Sequence, residues 1–163
     1  MDFIRHATAA TVLVALSLWI QCIGMATLID RGLAYLAREH RLSPLHSTVL
    51  IVRVTCIMIG LHIAQILVWA AFYRWMFFPG WGLAFYFSTG SYATIGSGDL
   101  ALPTTWRSLG PVEAMTGVLM CGLSVSLLFA IVARLVDRVA VSSQNLAQMA
   151  EKGINSPPAQ RGS

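Results

Sequence analysis

The residues best suited to chemistry lie in one short stretch, Thr94-Ile95-Gly96-Ser97-Gly98-Asp99. A cation leaving water needs its hydration oxygens replaced, and a narrow ring of backbone carbonyls replaces them without fixed negative charge. Successive carbonyls must then face one axis. The spaced glycines Gly96 and Gly98 reach backbone conformations barred to residues with a Cβ, which would allow that alignment. Thr94 adds a hydroxyl to its carbonyl, and Asp99 follows, where several copies would form an acidic ring that concentrates cations. The candidate metal ligands are thus the carbonyls of Thr94, Ile95, Gly96 and Ser97, holding a monovalent cation, with Gly98 completing the stretch and Asp99 at the outer mouth. No cofactor is called for; the ion is a permeant species. Taken alone, Gly96-Ser97-Gly98 reads as a surface turn, so the surrounding elements must decide.

Those elements are written for lipid. The chain has 163 residues, 56% hydrophobic and only 11% charged, against about 25% charged in soluble domains. Four charge-free runs, Ala7 to Ile29, Val54 to Tyr73, Trp75 to Gly98 and Ala114 to Ala133, each reach the roughly 20 residues a helix needs to cross a bilayer. The first is longer than a signal-peptide core of about 7 to 15 residues and is read as a retained span. The third contains Pro79 and the glycines Gly80, Gly82, Gly90, Gly96 and Gly98, which weaken a continuous helix. Irregular backbone at membrane depth is tolerated only where protein buries it or water reaches it. A helix from Gly82 to Ala93 descending about 18 Å, followed by an extended return from Thr94 to Gly98 of about 16 Å, fits a segment that enters and leaves on one side. The expected fold class is an all-α membrane protein of three transmembrane helices plus a re-entrant helix and loop.

Loop charges supply an independent check, because Lys and Arg gather on the cytoplasmic side. Arg31, Arg38, Arg41 and Arg53 lie between the first two runs, and Arg134, Arg138, Lys152 and Arg161 follow the last. Arg5, Arg74 and Arg107 are the remainder. Both clusters share one side only if the third run returns, which leaves the N-terminus outside and the C-terminus cytoplasmic. Trp75, Trp81 and Trp106, with Phe72, Tyr73, Phe77 and Phe78, form an expected aromatic belt at the outer surface. Between Arg31 and Arg41, Leu33, Leu36 and Ala37 have helical spacing that fits a short interfacial helix or a polar loop. Gly110 and Pro111 open the last helix, with Glu113 in its first turn and an expected end near Val139. The division is an N-terminal helix and loop over 1–46, a pore domain over 47–139 and a mobile cytoplasmic tail over 140–163. The partners are the bilayer and monovalent cations; no nucleic acid is expected.

Other residues have candidate roles. His62 and Gln65 share a face of the second span and form a polar intramembrane site, suited to sensing pH or to a helix–helix hydrogen bond. Gly117 and Gly122 could let the last helix bend, with Gly122 the candidate gate hinge, while Cys121, Ser124 and Ser126 suit close packing. Leu127, Leu128, Phe129 and Ile131 could narrow a pore. His6, His40 and His46 read as solvated or interfacial. Cys22, Cys56 and Cys121 sit within apolar runs without metal-ligand spacing. A different class of function, intramembrane hydrolysis, would need Ser97 as nucleophile and His62 as base, and no further motif supports that pairing; no catalytic residue is therefore assigned.

From about Val54 to Arg138, the order of these parts resembles the pore domain of the potassium-channel superfamily, particularly small bacterial proteins of that family. The resemblance rests on Tyr86-Phe87-Ser88, on Thr94-Ile95-Gly96-Ser97-Gly98-Asp99, and on Gly110-Pro111. It implies a selectivity filter, a homotetramer with one pore loop per subunit, passive potassium conduction and a bacterial inner membrane. The family pattern is Thr-Thr-Val-Gly-Tyr-Gly-Asp, so Ala93, Ile95 and Ser97 depart from it. Where the family's tyrosine braces the filter, Ser97 is expected to leave space open or wet. That departure keeps two alternatives in view, a non-selective cation channel and a non-conducting membrane subunit with a drifted filter. The first helix is additional to the two-span unit.

Overall fold

A computed structural model describes residues 2–38 and 44–155. Four helices follow in order: α1 (Asp2–Arg38), α2 (Pro44–Met76), α3 (Trp81–Tyr92) and α4 (Leu109–Asn155), with a 3-10 turn at Thr104–Trp106 before the last. Three segments are long and apolar enough to cross a membrane, Ile4–Gly32, Leu45–Met76 and Thr104–Arg138. The short α3 has only 12 residues, which cover about 18 Å, half a bilayer. The protein is therefore all-α, with three candidate spans and one short helix between the second and third.

Sequence explains the breaks. Pro44 begins α2, where its missing N–H costs nothing. Pro79 and Gly80 separate α2 from α3, with Gly80 as an extended N-cap. Pro111 lies in the first turn of α4, among amides that have no intrahelical acceptor. That helix starts at Leu109, earlier than expected, and continues to Asn155, beyond the expected end near Val139. Ala, Gln, Leu, Met, Glu and Lys in its last part are strong helix formers. Likewise, α1 runs unbroken through Arg31 to Arg38, so the residues considered for a separate interfacial helix continue α1 beyond the first span. The rest of that stretch, with His40 and Arg41, lies outside the described residues, as does the tail from 156 to 163.

Inside a membrane, helices associate through close packing and hydrogen bonds rather than the hydrophobic effect. α3 packs against α2 and α4, and α1 packs against the same two helices. The buried face of α1 is Leu13, Ser17, Gln21, Gly24 and Leu28, residues three and four apart on one stripe. A Cβ on Gly24 would lie 2.4 Å from a Leu61 methyl, so its absence lets α1 and α2 approach. The packing is layered. Leu13, Trp69, Tyr73, Ala84, Phe87, Leu102 and Leu109 form an apolar cluster at one end, and Leu28, Val54, Met58 and Leu127 form another at the opposite end. Polar side chains fill the level between them. At the first end His6 stands edge-on to Trp106, with ring centroids 3.9 Å apart, and Phe72 and Phe77 pack beside the same indole. The start of α1, the end of α2 and the 3-10 turn before α4 thus meet in one aromatic belt.

Candidate functional site

The loop after α3 is held by its own amides. The N–H of Thr94 donates to Ser91 O at 3.0 Å, and the N–H groups of Ile95 and Gly96 both donate to Gly90 O at 2.9 Å. In an extended strand successive amides point to opposite sides; here three in a row point back onto the last turn of α3. The peptides are trans, so each carbonyl opposes the N–H of its own plane. The carbonyls of Ala93, Thr94 and Ile95 consequently face away from α3. Positive φ at Thr94 (62°) and Gly96 (79°) produces this arrangement. Only Ala93 and Thr94 form a turn; beyond them the chain runs back along α3, its contacts stepping from Ser91 and Gly90 to Phe87.

Two details revise the sequence reading. The alternation of left-handed residues falls on Thr94 and Gly96, not on Gly96 and Gly98, because only Gly96 among the described glycines has positive φ. Thr94 is β-branched, so its left-handed backbone costs about 1–3 kcal/mol, strain of a kind concentrated at functional sites. Beyond Ile95 the carbonyls turn elsewhere. Gly96 O lies beside Gly90, 2.9 Å from where a Cβ would stand, and Ser97 O accepts the Leu100 N–H at 2.8 Å. Of the expected carbonyl ligands the loop presents Thr94 and Ile95, adds Ala93, and turns Gly96 and Ser97 inward. Gly98 and Asp99 are exposed beyond them.

Ser97 rests against α3. Its hydroxyl reaches Phe87 O at 3.4 Å and would lie 2.8 Å from a Cβ on Gly90. Gly90 therefore lets the loop settle directly on α3. Thr94 and Ile95 remain exposed, Ile95 at 83%, so their surroundings are not supplied by their own subunit.

Behind the loop, two polar networks fix α3. Glu113, fully buried on α4, accepts from the Tyr73 hydroxyl at 2.9 Å, and the Ser88 hydroxyl lies between Glu113 Oε1 at 2.5 Å and Ile66 O at 3.0 Å. This joins α2, α3 and α4. The second network surrounds Tyr92, the last residue of α3. Its hydroxyl donates to Gln65 Oε1 at 2.9 Å and contacts His62 Nδ1 at 2.9 Å. His62 Nε2 meets Ser124 Oγ at 3.1 Å. Gln21 Nε2 donates to Ser124 Oγ at 2.8 Å, and Gln65 Nε2 donates to Gln21 Oε1 at 2.7 Å. Trp69 Nε1 donates to Ser17 Oγ at 3.1 Å on the same face of α1.

The expected pair His62 and Gln65 is thus brought together through Tyr92. Gln21, Tyr92 and Glu113 were not singled out for such roles. Ser17 and Gln21, polar residues four apart in a charge-free run, carried the signal. Gly117 serves close approach, since a Cβ there would lie 2.3 Å from Tyr92 O. Gly122 lies on the exposed side of α4 with open space where its Cβ would be. His62 and Ser97 have different partners, so the nucleophile and base of a hydrolase are not assembled.

A family profile described as ion channel matches residues 51–134, just over half of the chain. The chain belongs to the ion channel family. The matched region begins in α2, includes α3 and its loop, and ends in α4, so these elements form an ion-channel pore domain in an integral membrane protein. α1 stands outside the match. Ion channels are not enzymes, which agrees with the separation of Ser97 from His62. No curated protein and no solved structure matches the chain.

Proposed function

We propose that this ion channel conducts monovalent cations, potassium foremost, through a homotetrameric pore in which each subunit contributes the loop from Thr94 to Gly98. The supporting observation is the run of amides from Thr94 to Gly96 bonded back to α3, which leaves consecutive carbonyls facing away from their own subunit. Carbonyl dipoles replace hydration water without trapping the ion as full charges would. The C-terminal end of α3 points its partial negative charge the same way. Asp99 lies beyond the loop, where four copies would draw cations to the mouth. Along α4, Met115, Val118, Val125 and Phe129 form an exposed stripe that includes Gly122. This stripe suits a pore lining with Gly122 as its hinge. The pore unit is residues 47–139, set in a bacterial inner membrane with the N-terminus outside and the C-terminus cytoplasmic, an orientation supported by the charge distribution.

Gly96 and Ser97 carbonyls must turn toward the axis if they also coordinate ions, and the freedom of Gly96 suits such a rotation. Their inward direction is the observation that favours a second reading, a subunit whose filter does not conduct or does not select. One experiment separates the two. Purified protein in liposomes should carry a potassium flux that Gly96→Ala removes, because alanine strains the left-handed backbone there. Absence of flux in the native protein would favour the non-conducting subunit, and an unchanged flux in Gly96→Ala would remove the loop from the path.

A further inference from the structure

The network around Tyr92 is a closed ring. Gln65 bonds to Gln21, Gln21 to Ser124, Ser124 to His62, His62 to Tyr92, and Tyr92 back to Gln65. All four helices contribute: Gln21 from α1, His62 and Gln65 from α2, Tyr92 from α3 and Ser124 from α4. We propose that this ring is the positioning element of the filter, so that α1, outside the matched pore domain, is a working part of the pore. The inference rests on the conducting reading above.

Donor counting supports a single cooperative unit. The Tyr92 proton is committed to Gln65 Oε1, so Tyr92 O accepts from His62 Nδ1–H. The neutral histidine then offers Nε2 as an acceptor, which takes the Ser124 proton, while Ser124 Oγ accepts from Gln21. Each bond has one donor and one acceptor, and reversing any member disturbs its neighbours. Gln21 and Gln65 are fully buried and Tyr92 and Ser124 nearly so. In the membrane a broken bond here has no water to replace it.

The ring acts on the filter through the chain itself. Tyr92 is followed directly by Ala93, Thr94 and Ile95, whose carbonyls face outward, and its own carbonyl rests against Gly117. Fixing the phenol at one end and the carbonyl at the other leaves Tyr92 little freedom to tilt. α1 packs on α2 and α4, and Gln21 ties it through the ring to Tyr92.

The ring also has one member, His62, that can take up a second proton. A second proton on His62 adds a donor at Nε2, where Ser124 already donates, and places a charge among neutral groups. The groups bonded to His62 are Tyr92 from α3 and Ser124 from α4, and Gln21 from α1 bonds to that same Ser124. Cys121 and Glu113 of α4 lie near enough to act on Tyr92, and the hydrogen bonds of Glu113 go to Tyr73 and Ser88. Acidification is therefore a probe of ring closure.

Potassium flux should be measured in liposomes from about pH 8 to about pH 5, a window spanning the ordinary histidine range. Native flux should fall about tenfold in acid, the equivalent of one hydrogen bond of about 1.4 kcal/mol. His62→Gln and Gln21→Leu should each give a profile without that fall. A native-like profile in either variant would overturn the proposal, since a merely structural α1 would leave the pH response in place. A readout independent of conduction accompanies it: melting of Gln21→Leu, Tyr92→Phe and the double variant in detergent. Non-additive losses support the ring, and additive losses overturn it. Native protein without flux, but with non-additive melting, would support the ring while removing the conducting function.

Discussion

Between Thr94 and Asp99 the side chains do almost no bonding; Ser97 reaches a carbonyl only at 3.4 Å, and Ile95 is 83% exposed. Two residues before this stretch, Tyr92 belongs to a ring in which buried side chains bond to one another. The loop is shaped by its backbone amides and leaves carbonyls free, whereas the layer behind it is shaped by side chains and leaves little free. Free carbonyls at membrane depth need an ion, water or a neighbouring subunit. A saturated layer behind them supplies the rigidity they lack. Substitutions in the two regions should therefore separate, those behind the loop acting on stability and, at the ring, on the pH response of flux, and those in it acting on the flux itself.

The largest expected effect is Gly117→Ala, which drives a methyl into the Tyr92 carbonyl, a backbone atom with little room to move. A loss of about 3 kcal/mol is expected from such overpacking, read as a lower melting temperature in detergent. Glu113→Ala comes next. It strands the Tyr73 hydroxyl, while Ser88 keeps Ile66 O, and should lower stability by about 2 kcal/mol, the cost of a buried donor without an acceptor.

Gly90→Ala lies at the boundary and sharpens the contrast. Its methyl would meet Gly96 O and Ser97 Oγ, lifting the loop from α3 at a cost of about 1 kcal/mol. Flux should be lost while the fold survives. Gly98→Ala should retain more flux than Gly96→Ala, because Gly98 has ordinary φ and open space around it. Smallest is Ser97→Ala, expected to change stability by less than about 0.5 kcal/mol, since a 3.4 Å contact lies beyond the usual hydrogen-bond range.

The helices were legible because lipid imposes a length and an apolar composition on each span, and Pro79 with its neighbouring glycines marked the short helix. The length of α3 follows from the same reasoning. Which residues of the loop turn left-handed was not legible: Gly98 has the composition for it, but the amides of Ile95 and Gly96 share Gly90 O, and that places the strain on Thr94. Gln21 and Tyr92 lie far apart in the chain, so their joint role depends on helix packing that no local pattern records. The helix past Val139 has weak apolar content but strong helix formers, and there propensity outweighed composition.

The central claim is that carbonyls of this loop carry cations across the membrane. The most direct test is the reversal potential of purified protein in a planar bilayer under opposed potassium and sodium gradients. A current reversing on the potassium side of zero is expected, at a value set by how far Ser97 relaxes selectivity. No current, or one reversing at the anion equilibrium potential, would contradict it.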